Sequence, residues 1–384
     1  MGSMTYSLSN LNYPDSLRTL ALGINNRGEV VGAYSLFSLT SASFLYQDGN
    51  YVPLGAPGDP NAYTQANAIN NRGEIVGNVQ ISVRAPPHGW LDENGTISNY
   101  DVPGSGQTSL NGVNDYGDIV GWYYGDIIVN NSAFSGVGSP GQYGFIEQNG
   151  QFYTFDVPNS SSTSLQGIND RDQLVGSYVD TAGTHSFFYA QGTLTQVAVP
   201  DAVKTTIGGL NDFGEIVGTY TDQAGNTHGL IDYNGRYATF DVPNAGSSLS
   251  VSGVNDRGQI VGSYVDSTGS HGFIADPNGR HQHDDNTIQI TPVALGQDSM
   301  SFLPPNEKFH HQSSGAPAPG FNDFSALSSG AVASPPKVGE LFILPDGTGQ
   351  QFFPDVAPGS VAFAELSRGS GHQTGNGTMY HSSS

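Results

Sequence analysis

One short segment recurs six times along the chain, and it limits the possible folds more than any other feature. Its first copy reads Gly-Ile-Asn-Asn-Arg-Gly-Glu-Val-Val-Gly, and the leading asparagines of the copies are Asn25, Asn70, Asn114, Asn169, Asn211 and Asn255. These asparagines lie 45, 44, 55, 42 and 44 residues apart. A proline and a turn glycine keep the same phase, at Pro14, Pro57, Pro103, Pro158, Pro200 and Pro243, and at Gly49, Gly95, Gly150, Gly192, Gly235 and Gly279. Three landmarks in one phase indicate a structural repeat.

Each repeat predicts four short antiparallel strands, which we name A to D. Strand A leads into the asparagine, as in residues 163–168, and strand B follows it, as in 173–179. Strand C is represented by 184–189 and strand D by 151–157. Asn-Asp-x-Gly between A and B, and Asn-Gly between C and D, are typical of tight turns because Asn and Gly tolerate positive φ. The proline after strand D ends the ladder because it lacks an N–H.

Four antiparallel strands on this period are typical of one blade of a β-propeller. The sequence therefore predicts an all-β fold, a six-bladed β-propeller over residues 5–280. The chain begins with a D-like strand at 6–12, and the sixth repeat stops at strand C, at 272–275. The N-terminal strand is thus expected to complete the last blade and close the ring. An open β-solenoid is the alternative, but it gives no reason for this permuted strand order.

The repeated segment, followed by His-Gly-Phe, resembles the bacterial HAF extracellular repeat. The resemblance covers about residues 5–280, and its second half begins at His88, His185, His228 and His271. Ala42 and Tyr143 stand at this position in the first and third repeats. The resemblance implies a secreted or cell-surface protein of a bacterium. It implies no activity, since the family is defined by a repeat and not by a reaction.

Two segments lie outside the repeats. Residues 1–4 are interpreted as a remnant of expression. Residues 281–384 are expected to form a partly disordered C-terminal extension, with short strands within 287–303 and 339–353 and a Ser-, Gly-, Ala- and Pro-rich stretch at 312–336. No signal peptide is recognisable. An extracellular location then requires a leader that has been removed or an export signal within the extension.

The charge balance excludes some partners. Acidic residues outnumber basic ones 34 to 12, for a net charge of −22, and there is no cysteine. Nucleic-acid binding is therefore not expected, because phosphate recognition needs clustered Lys and Arg. No apolar run is long enough to span a bilayer, so membrane insertion is not expected. Disulfides and cysteine-ligated metals are excluded. No oligomeric state follows from the sequence.

Several repeated polar residues resemble metal ligands, but structural roles are favoured for them. Equivalent residues of a ring are held apart, so the repeated His is interpreted as tying strand C to a loop. The repeated Asn-Asp is interpreted as capping the A–B turn. Asp180, Asp222 and Asp266 in the B–C loops supply one carboxylate each, and Ca²⁺ needs six or more oxygen ligands. No cofactor is predicted, although weak Ca²⁺ binding stays open. The cluster of His281, His283, Asp284 and Asp285 is interpreted as solvated.

The loops give the best indication of function. The A–B and C–D turns are uniform, whereas the D–A and B–C loops vary, most of all at an insertion in the third repeat within 124–142. Variable loops on a rigid scaffold commonly carry binding. Aromatic residues at the end of strand B stand beside the loop carboxylates, and the candidate ligand-binding residues are Tyr34, Trp122, Tyr123, Tyr178, Asp180, Tyr220, Asp222, Tyr264 and Asp266. The alternative is that these aromatic rings pack the blades.

The favoured function is a secreted or surface binding module, namely a lectin-like protein that binds carbohydrate at several equivalent sites. One alternative is a propeller hydrolase or lyase with a single site in the axial channel. Another is a surface scaffold for protein–protein contacts. No Gly-x-Ser-x-Gly, His-Glu-x-x-His or phosphate-binding loop occurs. The sequence leaves catalysis undecided and favours a non-catalytic role.

Overall fold

A computed structural model describes residues 4–36, 41–55, 62–82, 84–129, 132–133, 140–245, 248–277 and 286–293, together with the backbone of three short strands between 341 and 366. Every regular element in these ranges is a β-strand, as the sequence predicted. The described ranges accordingly contain no helix able to cross a membrane. The stretch 312–336 and the cluster of His281, His283, Asp284 and Asp285 lie outside the described residues, so their predicted disorder and solvation stay predictions.

Most strands form six antiparallel units that follow the order A to D. Unit 1 contains β2 (Arg18–Ile24), β3 (Val30–Ser35), β4 (Ala42–Gln47) and β5 (Asn50–Leu54). Unit 2 contains β6 (Tyr63–Ile69), β7 (Ile75–Gln80), β8 (His88–Glu93) and β9 (Thr96–Asn99). Unit 3 contains β10 (Gln107–Val113), β11 (Ile119–Gly125), β14 (Gly141–Gln148) and β15 (Gln151–Phe155). Unit 4 contains β16 (Ser162–Ile168), β17 (Leu174–Asp180), β18 (Gly183–Ala190) and β19 (Thr193–Val197). Unit 5 contains β20 (Lys204–Leu210), β21 (Glu215–Thr221), β22 (Thr227–Tyr233) and β23 (Arg236–Phe240).

Unit 6 draws its strands from both ends of the repeat region. Strands A, B and C are β24 (Leu249–Val254), β25 (Ile260–Val265) and β26 (Ser270–Asp276), and the D position is taken by β1 (Met4–Leu11). β1 pairs antiparallel with β26, with Ser7 opposite Asp276 and Leu11 opposite Gly272. The first described strand of the chain and the last repeat therefore belong to the same four-stranded unit.

Glycine in strand B explains why the units pack so regularly. In unit 4 a Cβ added to Gly176 would lie 2.4 Å from the carbonyl oxygen of Ser164 and 2.6 Å from the ring of Phe187. The strand C aromatic ring thus fits directly over a residue that can have no side chain. Equivalent rings in other units are also fully buried, namely those of Phe44, Trp90, Phe145 and Phe273. The Val-Gly of the repeated segment is therefore a packing requirement.

A β-bulge interrupts strand A in every unit, immediately before a small residue. In unit 1 this residue is Gly23, and a Cβ there would lie 2.8 Å from the Cα of Ala68 in unit 2. The A strands of neighbouring units consequently meet backbone to backbone. The residue at the bulge itself differs between units, and the six are Leu22, Asn67, Asn111, Gln166, Gly208 and Ser252.

Three sets of strands lie outside the A-to-D pattern. β27 (Asn286–Pro292) pairs with β1 on one side and with β23 on the other, and buries Ile288 and Ile290. Residues of the C-terminal extension thus join units 5 and 6. In the unit 3 insertion, β12 (Ile128–Val129) pairs with β13 (Ser132–Ala133) and with β15. Farther along, β28 (Leu341–Ile343), β29 (Gly349–Phe353) and β30 (Ala362–Leu366) form a small sheet.

Candidate functional site

The A–B turns are joined by a cycle of asparagine hydrogen bonds. Within each turn the Asn side-chain oxygen accepts two backbone N–H groups, as Asn211 does from Phe213 and Glu215. The same side chain donates through Nδ2 to the backbone oxygen of the asparagine in the next unit. These donations run from Asn25 to Asn70, Asn70 to Asn114, Asn114 to Asn169, Asn169 to Asn211, Asn211 to Asn255 and Asn255 to Asn25. Turn capping was predicted, but the bonds between units were not.

A second cycle uses the residue that follows each asparagine. Its backbone N–H donates to the side-chain oxygen of the equivalent residue in the next unit, around Asn26, Asn71, Asp115, Asp170, Asp212 and Asp256 and back to Asn26. Four carboxylates are thereby brought close together. Burial, followed by repulsion from Asp256 and Asp170, raises the pKa of Asp212 to about 7. Across the described ranges, no group of three or more His, Cys, Asp or Glu side chains is arranged to hold a metal ion.

A central cavity of about 380 Å³ is bordered by strand A of all six units. Next to the asparagine cycle its wall is aliphatic and consists of Ile24, Ile69, Val113, Ile168, Leu210 and Val254. The bulge residues follow along the same strands and make the wall more polar. Thr206 and Ser250 border the cavity near the start of their strands and are exposed to solvent. The cavity is therefore reachable from the end that carries the D–A and B–C loops.

The B–C loops contain a hydrogen-bonded cluster built around the repeated histidine. In unit 5, Nε2 of His228 lies 3.3 Å from Asp222 and Nδ1 lies 2.7 Å from Asp241 at the end of strand D. Asp222 also caps its own loop by accepting from the backbone N–H groups of Ala224 and Asn226. The histidine therefore ties strand C to a loop, as its structural interpretation predicted.

The same cluster recurs in other units with different partners. His185 in unit 4 contacts Asp180 and Gln196, and His271 in unit 6 contacts Asp266 and Asn12. In unit 2, His88 contacts Asp101. Sequence reasoning missed the strand D partners, Asp101, Asp241 and Asn12. Each of them lies two residues before a landmark proline, so its fixed position in the repeat could have identified it.

Hydrogen bonding lowers the pKa of the loop carboxyl groups in the cluster and raises the pKa of His228. The backbone and side-chain N–H groups of Asn226 lower the pKa of Asp222 to about 2. The side chain and backbone N–H of Thr268 lower the pKa of Asp266 to about 2. Burial alone would lower the pKa of His228, but the bonds to Asp241 and Asp222 outweigh it and raise that pKa. At neutral pH the loop carboxylates are thus firmly ionised.

The predicted aromatic residues fall into different environments. Tyr178 and Tyr220 lie against the cluster histidines, with ring centroids 5.0 Å from those of His185 and His228. Tyr34 stacks on Tyr13 at 3.5 Å, and Trp122 is partly buried. Those four residues keep some exposed surface.

Tyr123 and Tyr264 are buried and offer no ring face to a ligand. The hydroxyl of Tyr123 bonds with Thr154 and donates to the backbone oxygen of Asp126. Thr154 in turn accepts from the backbone N–H of Ile128 in the unit 3 insertion. The insertion therefore encloses the aromatic residue whose counterparts in units 1, 4 and 5 stay partly exposed.

A smaller pocket, which we call the unit 5–6 pocket, adjoins the unit 5 cluster. It measures about 260 Å³ and is bordered by Asn226, Thr227, His228, Asp241, Asn244, Val242, Ala245 and Leu249. Polar groups from a B–C loop and a D–A loop thus stand around three apolar side chains. Sequence reasoning selected this face of the molecule but did not identify Asp241 or Asn244.

No protein-family model matches the sequence, and no curated protein is significantly similar to it. Solved structures resemble it at low identity. A variant of AofleA from Arthrobotrys oligospora is 13% identical with a TM-score of 0.45, over 76% of this chain and 91% of that chain. A gluconolactonase from Xanthomonas campestris is 14% identical with a TM-score of 0.40, over 72% and 97%. A variant of the Aleuria aurantia lectin in complex with Fucα1-6GlcNAc is 9% identical with a TM-score of 0.42, over 69% and 97%. Likeness at this level transfers neither ligand nor reaction, so function must follow from the chain's own residues.

Proposed function

We propose that the chain is a closed six-bladed β-propeller that binds carbohydrate at several shallow sites on the face of the D–A and B–C loops. The unit 5–6 pocket is the observation that carries the binding proposal. Closure is supported by two features: the asparagine cycle returns from Asn255 to Asn25, and β1 pairs with β26. The resemblance to HAF repeats supports a location outside a bacterial cell.

The unit 5–6 pocket combines the two kinds of surface that a sugar needs. Asp241 and Asn244 are exposed and supply a charged acceptor and an amide. Val242, Ala245 and Leu249 are buried and supply an apolar floor for the C–H faces of a sugar ring. Small-molecule sites usually combine an apolar surface with a few placed polar groups. The carboxylate of Asp241 favours hydroxyl donors over acidic ligands.

Repetition supports binding at more than one place. The histidine–carboxylate cluster occurs in units 2, 4, 5 and 6, on the same side of each unit. Units 1 and 3 lack the histidine, and unit 3 also encloses Tyr123 beneath its insertion. We therefore expect several weak sites that reinforce one another on a multivalent glycan surface.

The central cavity supports a hydrolase or lyase less well. Within the described residues, its wall contains no His, Asp, Glu, Lys, Arg or Tyr. General acid–base catalysis needs such a group within hydrogen-bond reach of the reacting atom. Ser250 and Ser252 also have no histidine beside them in that wall to activate a hydroxyl.

The test is a glycan-array screen of the full chain, followed by calorimetric titration of the best glycan. Asn244→Gly should remove part of the binding stoichiometry, because it deletes the amide while keeping the positive φ of 64°. The matched control is Asn159→Gly, at the equivalent position of unit 3 with φ 65°, and it should leave binding unchanged. Absence of binding to any glycan would refute the proposal. Capture of a bacterial surface protein instead would favour the scaffold alternative.

A further inference from the structure

We infer that the central cavity is itself a binding site, separate from the loop sites, for one small neutral molecule rich in hydroxyl groups. The volume of about 380 Å³ lies within the range of small-molecule sites. It differs from the loop sites in number, since there is one cavity for six units. It also differs in chemistry, because the described part of its wall carries no formal charge.

The wall of the cavity carries three amides on one side and Leu22, Gly208 and Ser252 on the other. Units 2, 3 and 4 place the amides of Asn67, Asn111 and Gln166 at the bulge. Units 5 and 6 place Gly208 and Ser252 there. The three amides therefore face a side of the cavity where Gly208 and Ser252 leave room for a ligand, and we call this space the recess. Close packing accounts for Gly208, since a Cβ there would lie 2.0 Å from the backbone oxygen of Val251, whereas Ser252 places a hydroxyl where unit 1 has Leu22.

Gln166 differs from the other two amides in how it is bonded. Asn67 and Asn111 donate through Nδ2 to the backbone oxygens of Leu110 and Leu165 in the next unit. The longer side chain of Gln166 instead donates to Ser164 on its own strand, and its Oε1 is buried with no hydrogen-bond partner. A buried acceptor without a partner costs folding free energy. Such a group is explained if a small turn of the amide lets it bond a ligand.

The lining determines the class of ligand. An anion or a cation would be desolvated without a counter-charge, which is strongly unfavourable. Amides and hydroxyls both donate and accept, so they match alcohol groups that do the same. The aliphatic ring of six side chains beneath them suits the C–H surface of the same molecule. A monosaccharide or a cyclitol has this combination of neutral hydroxyls and carbon faces.

Two variants of the full chain test the site, with D-glucose and myo-inositol as neutral probes and D-glucuronate as a charged one. Ser252→Leu fills the recess with the side chain that unit 1 already carries at this position, Leu22. It should weaken binding of a neutral probe at least tenfold by ligand-observed NMR, whereas Ser252→Ala should change it less than threefold. D-Glucuronate should bind at least tenfold more weakly than the better neutral probe.

Gln166→Leu distinguishes a binding role from a structural one. It should abolish binding of the neutral probe while leaving the melting temperature unchanged or higher, because it removes an unpartnered buried oxygen. A lower melting temperature with unchanged binding would overturn the inference. So would a failure of both neutral probes to bind, or equal binding of D-glucuronate. Asn244→Gly, in the unit 5–6 pocket, should leave probe binding at the cavity intact, so failure here is distinguishable from failure of the loop sites.

Discussion

The A–B turns and the B–C loops lie at opposite ends of the same strands and use hydrogen bonds in different ways. At the turns, the side chain of Asn211 caps its own turn and then reaches Asn255 in the next unit, and this pattern is repeated six times. At the loops, His228 bonds only within unit 5, and its counterparts change partner from unit to unit. The strictly repeated residues therefore assemble the units, while the varied ones are free to differ in binding.

The largest effect is expected from removing the outer connection between units 5 and 6. A chain ending at residue 277 loses β27, and with it the buried side chains of Ile288 and Ile290. Burial of an isoleucine contributes roughly 1.5–3 kcal/mol, so the free energy of unfolding should fall by about 4 kcal/mol. A chain ending at residue 293 is the control and should match the full chain in urea unfolding. If both truncations were equally stable, the turns and the packed A strands would hold these units together without β27.

The second-largest effect on stability is expected from an asparagine at an A–B turn, compared with an asparagine in a B–C loop. Asn255→Ala removes two turn caps and the bond to Asn25, and should lower the free energy of unfolding by about 3 kcal/mol, because buried N–H groups lose their partners. Asn226→Ala in a B–C loop removes an exposed bond to Asp222, and should cost about 0.5 kcal/mol or less. Chemical denaturation of both variants provides the measurement. Equal losses would contradict the assignment of assembly to the turns.

Opposite pH dependences are expected at the two ends. At the turns, the pKa of Asp212 is raised to about 7, so the folded state holds its proton more tightly than the unfolded state. That contribution to stability is present near pH 4 and is lost as the pH rises towards 7. At the loops, the pKa values of Asp222 and Asp266 are lowered to about 2. Their contribution is present above pH 4 and is lost as the pH falls towards 2.

Asp212→Asn isolates the turn contribution. Units 1 and 2 already carry Asn26 and Asn71 at this position, and an asparagine keeps the oxygen that accepts from Asp170. Since Asp212 is only partly buried, we expect a gain of about 1 kcal/mol at pH 8 and little change at pH 5. Thermal unfolding at the two pH values measures it. Burial also raises the pKa values of Glu147 and Glu215 to about 7, so the stability of the variant should still decrease somewhat as the pH rises towards 7.

The repeat made much of this architecture predictable, because each landmark has a local physical cause. Positive φ at Gly28 and the lack of a side chain at Gly176 are properties of single residues and their neighbours in sequence. β27 was foreseen only as a short strand in the extension. Its place between β1 and β23 depends on contacts across almost the whole chain.

The sequence did not predict that the Asn-Asp pairs of different repeats lie close together, and the reason is different. Only the three-dimensional arrangement makes strand A the wall of the central cavity, and so brings Asp170, Asp212 and Asp256 together. Tyr123 shows the same limit, since it occupies the position of Tyr178 in the repeat but is covered by an insertion. For the Asn-Asp pairs the decisive neighbours come from other repeats, and for Tyr123 they come from an insertion that only the third repeat contains.

The smallest effect separates aromatic residues that look equivalent in the repeat. Tyr220 stacks on His228, which borders the unit 5–6 pocket, so Tyr220→Ala should loosen that histidine. An aromatic contact is worth about 1 kcal/mol, which corresponds to roughly a fivefold loss of affinity at one glycan site. Tyr34 lies in unit 1, which has no histidine, and stacks instead on Tyr13, so Tyr34→Ala should leave glycan affinity unchanged. Calorimetric titration of both variants with the same glycan makes the comparison. Equal weakening by both would mean that these tyrosines act through general stability, and that the loops of unit 5 are not specialised for binding.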